Sequence, residues 1–338
     1  MEPKRFSEIV SRYPTLRVAL VGDIALDRYL HIDPALEETS IETGLPVRNV
    51  VAVRPQPGAG GNVLANLAAL APKALAAVGF SGDDGEGFEL RRALGSLGAD
   101  TTHFLLRPDR QTFTYAKPLI LRPGRPPEEL SRIDIRSRTP TPPALEDEII
   151  AHLTAAAAGA DAVIAMDQAP EPACGVLTRR VKAALADLAL AHPAKIFIAD
   201  SRTSIGEFAG VHIKVNAAEL ARHFGVREEG ADVPALAAQW SREIGRHVFV
   251  TLSAEGILVA AAEGRVMRIP GIPAAPPIDV TGAGDAVLAH IAMALAAGAT
   301  PAEAAALGNL AGAVVVKKIG TTGTATVEEL IAKLQPRI

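Results

Sequence analysis

Several things are scarce in this chain, and each shortage excludes a class of protein. Its 338 residues contain one cysteine, Cys174, so no internal disulfide framework and no cysteine-based zinc site can form. A reducing cytoplasm is the expected compartment. Aromatic residues make up 4% within an apolar total of 49%, the balance of a globular protein whose core is built from Ala, Val, Leu and Ile rather than of a disordered one. Neither sign of charge is in excess: 34 Lys+Arg face 38 Asp+Glu, a formal net charge of −4, which leaves no basic footprint for a nucleic acid or an anionic membrane. Long apolar runs are missing too. The longest apolar helical segment, Ala286 to Ala297, is interrupted by His290 and falls short of the roughly 20 residues that span a bilayer. Glu2, Lys4, Arg5, Glu8 and Arg12 leave no room for the apolar core of a signal peptide. A soluble protein is expected.

The common nucleotide and metal motifs are also absent. No Gly-Lys-Ser or Gly-Lys-Thr occurs, so no P-loop lysine cradles phosphates. The first strand candidate leads into Gly22-Asp23-Ile24-Ala25-Leu26-Asp27 rather than a G-x-G-x-x-G turn, which disfavours a dinucleotide fold. The eight histidines show no His-Glu-x-x-His spacing, and isolated ones such as His31 and His290 read as structural.

What is present is a rhythm of short aliphatic runs alternating with longer Ala/Leu-rich helical stretches, the pattern of a mostly parallel sheet covered by helices on both faces. Strands are expected at Arg17 to Val21, Ala74 to Val78, Ala162 to Met166, Lys195 to Ala199, His212 to Val215 and His247 to Leu252. Helices are expected at Asn62 to Ala71, Gly87 to Leu97, Leu145 to Ala156, Gly175 to Leu190, Ala217 to Phe224 and Val233 to Ile244. Ile257 to Ala261 and Arg265 to Ile269 read as an edge hairpin. At this length the prior is one large α/β domain with a small appendage, or two domains. Residues 28–53 and 101–135 break the rhythm with strand-like pieces and no helix between them. They form either a small antiparallel lid, discontinuous in sequence, or two long surface excursions.

The most informative stretch is Asp279-Val280-Thr281-Gly282-Ala283-Gly284-Asp285, which runs into the apolar helix. Small residues at a helix mouth leave amides unobstructed, and the helix dipole adds positive character, so the site suits an anion. An acidic residue there makes sense as a base that takes a proton from a hydroxyl while the amides hold charge on a transferred phosphoryl group. The plainer reading is a Gly-rich turn with Asp285 as a favourable first-turn charge.

Three motifs in order, Gly22-Asp23 through Asp27, Pro57-Gly58-Ala59-Gly60-Gly61-Asn62, and Asp279 to Asp285, resemble those of the ribokinase (PfkB) family of carbohydrate kinases over nearly the whole chain. The resemblance implies a ribokinase-like α/β fold, with a mostly parallel sheet flanked by helices and a small discontinuous β lid. It also implies ATP as donor, Mg²⁺, and phosphoryl transfer to a sugar hydroxyl. By resemblance, Asp285 is the catalytic base, with Gly282, Ala283 and Gly284 forming the oxyanion turn. Asp27, Gly60, Gly61 and Asn62 would contact the sugar, the glycines allowing close backbone approach, although Asn62 could instead cap its helix. Asn216-Ala217-Ala218-Glu219 matches an N-x-x-E element tied to Mg²⁺ and phosphate, with Glu219 acting through water, and equally reads as a capping box. Thr251, Ser253 and Gly256 resemble a T-x-G-x-x-G nucleotide turn in which Ser253 replaces glycine, and Asn309 falls on the adenine pocket. Asp279 and the loop Lys318 to Thr321 fall where many members bind a monovalent cation such as K⁺.

Within the family the chain is most similar to the kinases of D-glycero-D-manno-heptose 7-phosphate, which act on O1 in making lipopolysaccharide precursors. Gly22 to Tyr29, Arg132-Ile133-Asp134 and Val314 to Thr321 carry this likeness. Ser40 to Val47 keeps only Ser, Glu, Pro and Val of that group's S-P-E-x-P-V-P-V motif. Met166-Asp167-Gln168-Ala169-Pro170-Glu171 stands in place of its S-D-Y-x-K-G loop and lacks the lysine. Arg28, Arg48 or Arg132 would then have to meet a substrate phosphate. The expectation is a single kinase domain over 1–338, with no room for a fused nucleotidyltransferase, assembled as a homodimer through its lids by family analogy. The competing expectations are a kinase for another sugar or sugar phosphate, and a non-catalytic sugar or nucleotide sensor on the same fold.

Overall fold

The computed structural model describes residues 1–334. Arg17–Gly22, Ala162–Asp167 and Ile196–Ser201 are aliphatic runs without polar alternation, and they occupy the middle of a nine-stranded sheet, where both faces are covered. From edge to edge the strands run Val266–Pro270, Gly256–Ala260, Val248–Thr251, His212–Asn216, Ile196–Ser201, Ala162–Asp167, Arg17–Gly22, Ala74–Gly82 and Phe104–Arg107. Neighbours are parallel except at the edge hairpin, where Gly256–Ala260 is antiparallel to the strands on both sides. The winding direction reverses between Arg17–Gly22 and Ala162–Asp167, so the loops leaving these two strands diverge and open a crevice at their carboxyl ends.

Successive strand residues feed two cores. Leu20, Ile164, Ile198 and Phe249 pack under the helices Gly60–Ala69, Ala283–Ala296 and Pro301–Val315. Their neighbours Val21, Val163, Phe197 and Val248 pack under Pro143–Gly159, Arg179–Ala191 and Val233–Ile244. Each such side chain contributes about 1.5–3 kcal/mol by leaving water. The Ala283–Ala296 helix is apolar on every side and buried from Ala286 to Leu295, which draws its one acidic residue, Asp285, into the protein. His290 is structural, its Nδ1 lying 2.8 Å from the Ala286 carbonyl.

A second, five-stranded sheet lies over the crevice. Ile133–Ile135, Thr114–Ile120, Ile24–Ile32 and Val50–Ala59 follow in that order, and Glu128–Glu129 pairs with Thr114–Ile120. It is the expected lid with three corrections. It starts at Ile24 and runs on to Ala59, because Ile24–Ile32 and Val50–Ala59 pair along their length and deliver the chain to the Gly60 helix. Phe104–Arg107 leaves the lid for the main sheet, where it pairs with Ala74–Gly82 and buries Phe104. Nor is the lid wholly antiparallel: Ile24–Ile32 and Thr114–Ile120 run parallel, which the long intervening crossover permits. The helix expected from Gly175 begins only at Arg179, where Thr178 caps it by accepting a hydrogen bond from the Val181 amide.

Candidate active site

The Ala283–Ala296 helix begins where the two sheets meet. Gly282, its N-cap, has φ +77°, a left-handed conformation that favours glycine. Gly282, Gly284 and Asp285 line a cavity of about 280 Å³. Asp285 opens on that cavity and is otherwise enclosed, and Asn62 Nδ2 donates a hydrogen bond to its Oδ2 at 3.1 Å. Asn62 does not cap its helix, whose N-cap is Ala59 without side-chain participation. Burial pushes the Asp285 carboxyl up to about 6, against the pull of the Lys214 ammonium and the Asn62 hydrogen bond. A carboxylate held there is suited to general-base work near neutral pH.

Lys214 lies in the strand next to Asp200, buried, with its Nζ 2.5 Å from Asp200 Oδ2. A Cβ on Gly284 would lie 3.2 Å from that Nζ, so the ammonium stands over the helix mouth and the glycine makes room for it. Burial works against the charge on Lys214, yet Asp200, Glu219 and Asp285 together hold it above the usual lysine range. Glu219 lines the same cavity, and burial and the nearby Asp200 raise its carboxyl. Asn216 and Glu219 also form a reciprocal capping box, each side chain accepting the other's backbone N–H at 2.8 Å. The capping role is therefore present, and the Glu219 carboxylate faces the cavity as well.

The lid supplies the opposite wall. Asp27 is buried and accepts from Lys117 Nζ at 2.9 Å, and Arg132 is held by Asp134 and stacks over the Tyr115 ring at 4.1 Å. Of the three arginines expected to meet a substrate phosphate, only Arg132 reaches the cavity. Arg28 is held bidentately by Glu89 beside Glu86, and Arg48 lines a separate groove with Leu30 and Val50.

Other expected residues lie outside the cavity. Gly60 and Gly61 are buried, and a Cβ on them would meet the Asp23 carbonyl at 2.9 Å and Pro57 Cβ at 2.4 Å. Their missing side chains thus make room for protein rather than for a ligand. Thr251, Ser253, Gly256 and Asn309 gather at the hairpin edge. Thr251 Oγ1 donates to the Val215 carbonyl, and Asn309 Nδ2 donates to the carbonyls of Ile269 and Pro270. Ser253, where glycine was the expected type, has φ +52°, the conformation glycine favours. Asp279 accepts from the amides of Thr281 and Gly320, tying the two loops together. The Gly22-Asp23 motif is structural. Gly22 lies against the Met166 backbone, and the buried Asp23 accepts from the amides of Gln168, Ala169 and Val176, each at 2.8 Å.

Sequence reasoning missed Lys117, Asp200, Arg202 and Lys214, all of which line the cavity. The signal for the two lysines was a lone Lys inside an apolar run, since lysine is almost never buried without a partner. Among the described residues no cluster of three or more His, Cys, Asp and Glu is arranged to hold a metal. Magnesium bound by one or two carboxylates, phosphate oxygens and water needs no such cage. Asp200 and Glu219 fit that mode: both line the cavity, and a divalent cation there would offset the burial and the Asp200 charge that raise Glu219.

Residues 209–328 match the model of the pfkB family carbohydrate kinases. The chain is 30% identical over 335 residues to the bifunctional protein HldE of Trichlorobacter lovleyi and 32% identical over 321 residues to that of Azorhizobium caulinodans, covering 98% and 94% of this chain. It spans 65% and 64% of the length of those two relatives. Among solved structures, Arabidopsis thaliana ribokinase complexed with ribose and ATP superposes with a TM-score of 0.68 at 19% identity, covering 95% of this chain and 99% of that one. Escherichia coli phosphofructokinase-2 in complex with fructose-6-phosphate gives 0.67 at 16%, covering 94% and 98%. At these identities the two structures speak for the fold. The matched family model and the relatives aligned along 98% and 94% of this chain make it similar to the pfkB family carbohydrate kinases.

Proposed function

We propose that this chain transfers the γ-phosphoryl group of ATP to a sugar hydroxyl, with O1 of D-glycero-D-manno-heptose 7-phosphate the first acceptor to test. The observation that carries the proposal is Asp285, a carboxylate held near 6 in the first turn of a helix whose mouth lies under the Lys214 ammonium. In this reading the Asp285 carboxylate takes the proton of the acceptor hydroxyl as its oxygen bonds to the γ-phosphorus and the bond to ADP breaks. The amides of Ala283 and Gly284 and the Lys214 charge stabilise the negative charge that develops on the transferred group. Asn62 orients the base, and Asp27, fixed by Lys117, holds acceptor hydroxyls.

Magnesium supplied with the nucleotide would neutralise phosphate charge, held by Glu219 and Asp200. The nucleotide would extend from the helix mouth toward Thr251 to Gly256 and Asn309. The same reading includes a cytoplasmic homodimer joined through the lids, and K⁺ near Asp279 held by loop carbonyls. Motifs after the first strand, after the lid and near residue 320 favour the heptose phosphate over other acceptors.

The test is ADP release from ATP and Mg²⁺ across free sugars and sugar phosphates, with Asp285→Asn as the blank. The expected outcome is turnover that falls about 10²–10⁴-fold in the variant. Wild-type rates in Asp285→Asn would remove the base. Silence across the panel, with sugars still stabilising the protein, would make it a sensor.

A further inference from the structure

Four cationic side chains line the cavity, and three are committed. Lys117 holds Asp27, Lys214 holds Asp200, and Arg132 grips Asp134 through Nε and Nη2. The fourth, Arg202, is built differently. Its backbone is fixed at both ends: its amide donates to the Asp167 carbonyl at 3.2 Å, and its own carbonyl accepts from Arg222 Nη1 at 2.9 Å. Around it, the hydroxyls of Ser201 and Ser204 donate to the buried Asp167, whose charge Lys182 balances at 3.0 Å. The guanidinium carried by this rigid segment is exposed to the cavity and makes no hydrogen bond or ion pair among the described residues. A free guanidinium on a fixed backbone is pre-organised for an anion.

The surroundings say which anion. In the kinase reading Lys214 and the helix mouth serve the transferred phosphoryl group. The loop from Met166 to Glu171 offers Gln168 to the cavity but no cation. Arg202 from the body and Arg132 from the lid line the same cavity as Tyr115, on whose ring Arg132 stacks, and Arg132 Nη1 makes no hydrogen bond among the described residues. Two guanidiniums lining one cavity from body and lid are suited to share one anionic group.

We propose that Arg202, with Arg132, binds a phosphate monoester on the acceptor, separate from the group being transferred, and so makes phosphorylated sugars preferred over free ones. This rests on the kinase reading above and deepens it.

The test is equilibrium binding without nucleotide, by calorimetry, of two matched pairs: heptose with heptose 7-phosphate, and fructose with fructose 6-phosphate. The wild type should bind one of the phosphate esters about tenfold or more tightly than its free sugar. Arg202→Gln should bring the two to equal affinity without weakening the free sugar, and Arg202→Lys should keep part of the preference. Because the guanidinium makes no hydrogen bond or ion pair among the described residues, thermal unfolding of both variants should match the wild type. In turnover, Arg202→Gln should raise KM for the phosphorylated acceptor and leave KM for ATP unchanged. The proposal is overturned by a wild type with no preference in either pair, by a preference that survives in Arg202→Gln, or by equal weakening of ester and free sugar. A rise in KM for ATP instead would give Arg202 to the donor. The kinase reading fails on its own terms if turnover does not depend on Asp285, while the binding preference stands or falls separately.

Discussion

Two buried lysine–aspartate pairs face the cavity from opposite walls. In the body, Lys214 and Asp200 lie on neighbouring parallel strands 2.5 Å apart, and in the lid Lys117 and Asp27 do the same at 2.9 Å. The device is shared but the company differs. Glu219 and Asp285 adjoin the body pair, so its lysine answers to three carboxylates and pulls the Asp285 carboxyl down. The lid pair adjoins Tyr29, whose ring lies 4.9 Å from the Lys117 ammonium. Burial opposes that charge, and Asp27 and Tyr29 outweigh it. The same ion pair thus tunes the proposed base in one wall and fixes the residue proposed to hold the acceptor in the other.

The largest way to break this comparison is Lys214→Met. Removing one partner leaves Asp200 buried and unpaired beside Glu219, a loss of about 3–5 kcal/mol in unfolding free energy. The proposed base, Asp285, responds as well. Asp285 must be ionised to accept a proton, so kcat/KM falls as pH drops through about 6, the value to which burial raises its carboxyl. Without Lys214, which lowers that value, the acid limb should move to higher pH. A pH–rate profile and a urea titration measure both, and an unmoved limb would mean that Lys214 does not tune the base.

Lys117→Met sharpens the contrast from the other wall. It should cost comparable stability, because Asp27 is just as deeply buried. Its kinetic effect should be a higher KM for the acceptor with the acid limb where the wild type has it. A shift of that limb equal to the one in Lys214→Met would erase the distinction between the two pairs.

The two walls also differed in how far the sequence revealed them. The body strands were legible because runs such as Ala162–Asp167 are buried on both faces and hence continuously apolar. The helix mouth was legible because Gly282 to Asp285 combines small residues with an acid at a place where an anion belongs. The lid was less so. Its parallel pair joins Asp27 to Lys117 across 90 positions of sequence, and no local pattern encodes such a partner. Arg202 was missed for a related reason, since only the assembled network around Asp167 shows that its backbone is fixed and its side chain free. Gly60 and Gly61 were visible as a motif, but what crowds them, Asp23 and Pro57, depended on the fold.

Ser253 isolates the smallest effect, and it lies away from both walls. Its φ of +52° is the left-handed region, which costs a residue with a Cβ about 1 kcal/mol or more. The turn persists because the hairpin edge around it is fixed: the Leu252 amide donates to the Gly256 carbonyl at 2.8 Å, and Gly256 is crowded by the Ile269 and Pro270 backbone. Ser253 is exposed and its side chain forms no hydrogen bond among the described residues, so removing that side chain forfeits little. Ser253→Gly should therefore stabilise the protein by about 0.5–1 kcal/mol, relief of strain exceeding the added freedom of the unfolded chain. Thermal unfolding at fixed pH measures it. Since this turn is where the proposed nucleotide would pass, KM for ATP in the same variant separates two roles: an unchanged KM leaves the strain as a local cost of the turn, whereas a raised KM would make the strained conformation part of nucleotide binding.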